Sequence, residues 1–163
     1  MTVPQQGLFV NPGQGRSYYF GPDLYIFKAI GAETGQAYAL CEVVVSPGGG
    51  APLHRHQRED EAFYIQAGEI EFQLDEATLI APAGTFLHSP KGQRHSFVNK
   101  TEIPATLLIW VTPAGFENFM AEVGRSVQGA VTPGAVLPPA DLEKVLAIAP
   151  QYGIEILLPP QEA

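Results

Sequence analysis

Gly48-Gly49-Gly50-Ala51-Pro52-Leu53-His54-Arg55-His56-Gln57-Arg58-Glu59-Asp60-Glu61-Ala62-Phe63-Tyr64-Ile65-Gln66-Ala67-Gly68 is the stretch from which the rest of the chain is read. Residues 53–55 and 61–67 have the short, alternating, aromatic and β-branched character of half-buried strands, with a polar turn between them. Residues two apart on a strand project to one face, so His54 and His56 lie together, about 6–7 Å apart at Cα, with Arg55 opposite. By the same rule Phe63 and Ile65 share the face of Glu61. Imidazoles accompanied by a carboxylate are the donor set of a transition-metal site. Glu59, Asp60 and Glu61 all offer that carboxylate.

Runs of the same character recur outward from this stretch, at 17–20, 24–30 and 38–46 before it and at 69–74, 77–80, 85–88, 95–99 and 105–111 after it. About ten strands at this spacing, punctuated by Gly, Pro and Asp, predict an all-β sandwich or barrel. Ala67-Gly68-Glu69 reads as a tight hairpin. After Val111 the period changes to 3.6. Thr112 is read as a cap and Pro113 as the first residue of a helix that carries Phe116, Phe119, Met120 and Val123 on one face and stops at Gly124. Its stripe is expected to pack on the outside of the β core, with lining of a pocket mouth as the alternative. A second helix is expected over 140–149, with Leu142, Val145, Leu146 and Ala149 on one face, after a loop at 126–139. Residues 154–158 are expected to pair at a sheet edge or in a dimer.

The chain has 163 residues, so one domain is expected over 1–163, with a barrel core at about 17–111 and a helical extension at about 112–163. Seventeen Gly and 15 Pro mark it as rich in turns. Nine Lys and Arg against 17 Asp and Glu give a net charge of −8, which argues against a nucleic-acid partner. No apolar run reaches the ~18–20 residues that span a bilayer, and the first residues lack the pattern of a signal peptide, so no membrane partner and a cytoplasmic location are expected. Cys41 reads as a small hydrophobe in a buried strand.

The spacing Gly48-x5-His54-x-His56-x4-Glu61-x6-Gly68, followed by Gly84-x5-Pro90-x-Gly92-x2-His95-x3-Asn99, resembles the two signature motifs of the cupin family at every defined position. That resemblance implies an antiparallel jelly-roll β-barrel holding one divalent transition metal (Fe, Mn, Ni, Co, Cu or Zn) through His54, His56, Glu61 and His95. Motif register selects Glu61 and leaves Glu59 and Asp60 solvated in the turn. Phe63, Ile65 and Phe97 become candidate pocket residues, while Tyr64, Ser96 and Val98 point the other way. His88 falls outside the ligand pattern, near the rim, and Trp110 is assigned to the core or an interface.

From about Val10 to Val123, notably at Glu61–Ile65 and Thr112–Phe119, the sequence is similar to the small bacterial quercetin 2,3-dioxygenase-like cupins. What this implies is ring-opening dioxygenation of a flavonol or other enolisable aromatic, with Glu61 as both ligand and general base. A metal-dependent isomerase or lyase and a non-catalytic binding module are the alternatives. Eight of the nine basic residues fall in turns or on outward positions, and Lys28 alone is an inward candidate. A small neutral or aromatic molecule, with dioxygen if the chain is an oxygenase, is therefore the expected partner. A homodimer is expected through the amino-terminal strands that carry Tyr18, Tyr19, Phe20 and Tyr25.

Overall fold

In the computed structural model, which describes residues 7–127 and 141–158, each of the ten expected strands is present within three residues at either end. They are β1 (Arg16–Phe20), β2 (Asp23–Ala29), β3 (Ala39–Val45), β4 (Gly50–His56), β5 (Asp60–Ala67), β6 (Glu69–Leu74), β7 (Ala77–Pro82), β8 (Phe86–Ser89), β9 (His95–Val98) and β10 (Ala105–Thr112). A helical turn, α1 (Gly31–Thr34), lies between β2 and β3. After β10 come α2 (Phe116–Val123), β11 (Arg125–Ser126), α3 (Leu142–Ile148), a 3-10 turn (Ala149–Tyr152) and β12 (Ile154–Ile156).

Strict alternation drives the sheet assembly. In β3, Ala39, Cys41, Val43 and Val45 are buried while the residues between them are half-buried, and β10 repeats the pattern through Ala105, Leu107, Ile109 and Val111. Every strand pair is antiparallel, giving one sheet ordered β11-β1-β2-β3-β10-β5-β8 and a second ordered β12-β4-β9-β6-β7. The sheets pack face to face. Phe63 of β5 meets Phe72 of β6 with ring centroids 5.0 Å apart and Phe97 of β9 at 5.9 Å, both edge to face. The fold is the expected antiparallel jelly roll with short carboxyl-terminal helices. Gly68 turns the β5–β6 hairpin with φ 78°, and a Cβ there would sit 2.9 Å from Ala105, so this position excludes a side chain on two grounds.

The carboxyl-terminal elements depart from expectation in detail. Thr112 closes β10, and α2 starts three residues after Pro113, at Phe116, with Gly115 as its cap. The Glu117 carboxylate takes over the capping work: it accepts the Gly115 N–H at 2.8 Å and the Gly31 N–H at 2.7 Å, tying α2 to α1. The α3 helix is capped by Asp141, whose side chain accepts from the Lys144 N–H at 3.1 Å. Its expected start at Ala140, and residues 128–139 of the expected loop, lie outside the described residues. Leu142 is 50% exposed, so the buried face of α3 narrows to Val145, with Ala149 just beyond it. β12 takes the sheet-edge reading: it pairs with β4, Ile154 opposite His56 and Ile156 opposite His54. β1 is not a free edge, because Tyr18 and Tyr19 pair with β11, and Tyr25 is 3% exposed on the inner face of β2. Among the described residues no helix is long and apolar enough to cross a membrane.

Candidate metal centre

The alternation of β4 turns His54 and His56 inward together, and both are buried. A register shift in the β4–β9 pair after Ala51 sets His95 directly across from His54, with ring centroids 4.3 Å apart. Glu61 reaches the same point from β5, on the facing sheet. Its Oε2 lies 2.8 Å from His95 Nε2 and 3.1 Å from His56 Nε2. One ligand atom from each of these four buried residues falls within 4.8 Å of all the others.

Each imidazole is held through its Nδ1. That of His54 lies 2.7 Å from the Pro52 carbonyl oxygen, that of His56 3.3 Å from Glu59 Oε2, and that of His95 3.2 Å from the Gln93 carbonyl oxygen and 3.0 Å from Ser89 Oγ. Acceptors at all three Nδ1 atoms favour a proton there and turn each Nε2 toward the centre as the atom that would meet an ion. His56 Nε2 is sealed from solvent and lacks a well-aligned hydrogen-bond partner, its short distance to Glu61 notwithstanding. A divalent transition ion bound by three imidazole nitrogens and one carboxylate oxygen satisfies that atom, so the residues present fit the group.

Electrostatics make the histidines unequal. Burial, reinforced by His95 and His56, drives His54 down to about 3, so it is a neutral donor throughout the working range. Burial also opposes charge on His56, but the Glu61 carboxylate 3.1 Å away and the Glu59 carboxylate at its Nδ1 prevail and raise it to about 9. Burial favours the neutral acid at Glu61, yet His56 and His95 hold it well below the usual carboxylate range. An ion entering the site takes the place of the His56 proton.

Glu59 corrects the sequence reading. It is 5% exposed and lies under His56 rather than in a solvated turn. Asp60 opens β5, half-buried, and accepts the Lys91 N–H at 2.7 Å, fastening the turn that precedes His95. The available signal was the three-residue step from His56 to Glu59, which folds the carboxylate back on the ring once the turn forms. Replacing Glu59→Gln is expected to weaken Zn(II) or Co(II) binding by about 10–100-fold with the fold retained, read by competition with a chromophoric chelator.

A cavity of about 50 Å³ opens beside the cluster. Phe97 lines it. Phe63 and Ile65 do not: both are essentially fully buried, and Phe63 packs behind the His95 ring at 5.9 Å, in the jelly-roll core. They share the face of Glu61 but sit deeper along β5. Much of the wall comes from the carboxyl-terminal elements, through Phe116, Phe119 and Met120 of α2, Val145 of α3, and Ile154 and Ile156 of β12. The α2 stripe therefore lines the pocket mouth. No lysine or arginine lines the cavity among the described residues; Lys28 turns outward to the Gln14 carbonyl oxygen at 3.1 Å. Tyr25, missed by the sequence reading, is on the wall, and burial, then Asp23, Cys41 and Glu61, keep its phenol protonated well above the usual range. His88 is exposed on β8 opposite Ala62, and Trp110 is half-buried on the outer face of the same sheet.

Residues 41–112 match the family model described as a cupin domain. Protein SchB of Streptomyces halstedii is 29% identical over 94 residues, covering 58% of this chain and 68% of SchB. Mannose-1-phosphate guanylyltransferase 2 of Escherichia coli O157:H7 is 26% identical over 76 residues, 47% of this chain, and the match spans 16% of that protein's length. Among solved structures, KdgF from Halomonas sp. superposes with a TM-score of 0.61 at 17% identity, covering 69% of this chain and 98% of KdgF.

Proposed function

We propose that this chain, a jelly roll with a cupin domain over residues 41–112 and a buried three-histidine, one-glutamate cluster, is a metal-dependent dioxygenase of a small enolisable aromatic compound. The observation that carries the reading is the cavity wall, which is apolar and aromatic around the cluster and, among the described residues, has no lysine or arginine to pair an anionic substrate.

His54, His56, His95 and Glu61 would hold the ion, which when bound supplies Lewis acidity and redox chemistry toward dioxygen. The residues of the chain do the rest. Glu61, between two imidazoles, would take the hydroxyl proton of the substrate, leaving an electron-rich enolate, a role its contacts with His56 and His95 support. Phe97, Phe116 and Phe119 orient a flat ring and exclude water. Size sharpens the substrate. At about 50 Å³ the cavity holds less than the roughly 150 Å³ of an engineered apolar cavity that accepts benzene, so a ring lies partly in its open mouth and a three-ring flavonol extends furthest over α2 and β12. A one-ring compound lying partly in the mouth demands least.

Oxygen uptake by protein loaded with Fe, Mn, Ni or Co tests the proposal, against quercetin and a panel of one-ring phenols and enols. Uptake matched to substrate loss is expected, fastest with one-ring compounds. Its absence for every metal and substrate overturns dioxygenation. Turnover without oxygen would instead support an isomerase or lyase, and a ligand that raises the melting temperature unconsumed would support a binding module.

A further inference from the structure

Outside the His/Glu cluster, one side chain on the cavity wall carries a strong hydrogen-bonding group among the described residues, and that is Tyr25. Its ring meets Phe20 edge-on, centroids 6.4 Å apart at 89°, and Phe116 at a 59° tilt, 6.3 Å away. Its backbone is paired on both sides, to Tyr18 and Val43. The side chain is 3% exposed, and its hydroxyl hydrogen-bonds no described residue, yet it is not among the buried polar atoms sealed without a partner. The hydroxyl therefore keeps its access through the cavity it lines. Phenylalanine would fill the same space without a polar atom to satisfy, so ring packing alone does not account for tyrosine here.

We infer that the Tyr25 hydroxyl is the specificity-determining group of the cavity, donating a hydrogen bond to a third oxygen on a ring whose two adjacent oxygens reach the His/Glu cluster. This rests on the reading of the cavity as a site for an enolisable aromatic and deepens it. Among the described side chains on the wall outside the cluster, Tyr25 is the one able to pair a further polar atom on the ligand. The ligand class is an apolar single ring with two adjacent metal-directed oxygens at one edge and one additional hydrogen-bonding oxygen. A site that pairs such an oxygen rejects analogues lacking it more strongly than apolar contact can.

The experiment uses the full chain loaded with Zn(II), with oxygen excluded, titrated calorimetrically with catechol, pyrogallol and hydroxyquinol. At least one trihydroxybenzene is expected to bind about tenfold or more tightly than catechol. In Tyr25→Phe that advantage shrinks to within about twofold, while catechol affinity and melting temperature stay put because no protein partner is lost. The inference is overturned if neither trihydroxybenzene outbinds catechol, if the advantage survives the substitution, or if all three ligands weaken alike. Wild-type protein labelled with ¹³Cζ-tyrosine gives a second readout that needs no variant. The favoured trihydroxybenzene shifts one tyrosine resonance that catechol leaves in place, and no such shift also overturns the inference. Because no oxygen is consumed, a Tyr25-dependent preference in a protein that shows no oxygen uptake removes the dioxygenase reading and leaves this one standing.

Discussion

Glu61→Gln is expected to remove most of the stabilisation that a bound ion confers. An ion present at about a thousand times its dissociation constant stabilises the fold by about 4 kcal/mol, which for a chain of this size corresponds to about 8–16 °C in melting temperature. Glu61 is the anionic member of the cluster, and its Oε2 touches both His95 and His56. Losing a supporting partner of a metal ligand costs about 10–100-fold in affinity, and losing a charged ligand costs at least the upper end of that range. At the same ion concentration a hundredfold loss leaves about 1.4 kcal/mol, or about 3–6 °C. Thermal melts with and without Zn(II) or Co(II) read the difference directly. His88→Ala, on an exposed strand position away from the cluster, is expected to keep the full shift. An undiminished shift in Glu61→Gln would exclude Glu61 as a ligand.

What was legible in the sequence was whatever a local period encodes. The alternation of β3, β6 and β10 is carried by each strand separately, and the two-residue step from His54 to His56 places both rings on one face whatever the rest of the chain does. His95 needed the motif, since its position opposite His54 depends on a register shift between strands about 40 residues apart in sequence. The features that escaped are non-local or lack a period. β2 is buried on both faces, so no alternation marks Tyr25 as the residue that meets the cavity. The pairing of β12 with β4 joins Ile154 to His56, and nothing near either residue announces it. Phe63 and Ile65 show a different limit: period two gives the face of a strand but not the depth along it, and the cavity lies toward the Glu61 end. Glu59 shows that a polar turn next to a buried ring need not face water.

Asp23→Ala is expected to destabilise the fold by about 4 kcal/mol, lowering the melting temperature by about 8–16 °C. Asp23 has no exposed surface, and its two oxygens accept the N–H groups of Ser46 at 2.9 Å and Gly50 at 2.7 Å. The alanine variant leaves both donors without their partner, at about 1–3 kcal/mol each. Position matters as much as count, because the 46–50 turn carries the chain from β3 in one sheet to β4, the strand of His54 and His56, in the other. The fit is close: a Cβ on Gly49 would lie 2.0 Å from Asp23 Oδ1. Burial pushes the Asp23 carboxyl up to about 7, against the two backbone N–H groups that favour its charge. Between about pH 4 and 7 the folded chain thus holds a proton that the unfolded chain has released, so stability falls as pH rises through this window, by up to about 4 kcal/mol, and levels off above it. Urea melts at pH 4.5, 6 and 7.5 test both statements. A loss below about 1 kcal/mol in Asp23→Ala would show that the turn holds without the carboxylate. Asp23→Asn, which cannot titrate and presents an amide NH₂ toward one of the two donors, is expected to be less stable at pH 4.5 and to show a flatter pH profile. An unchanged slope in that variant would assign the pH dependence to another group.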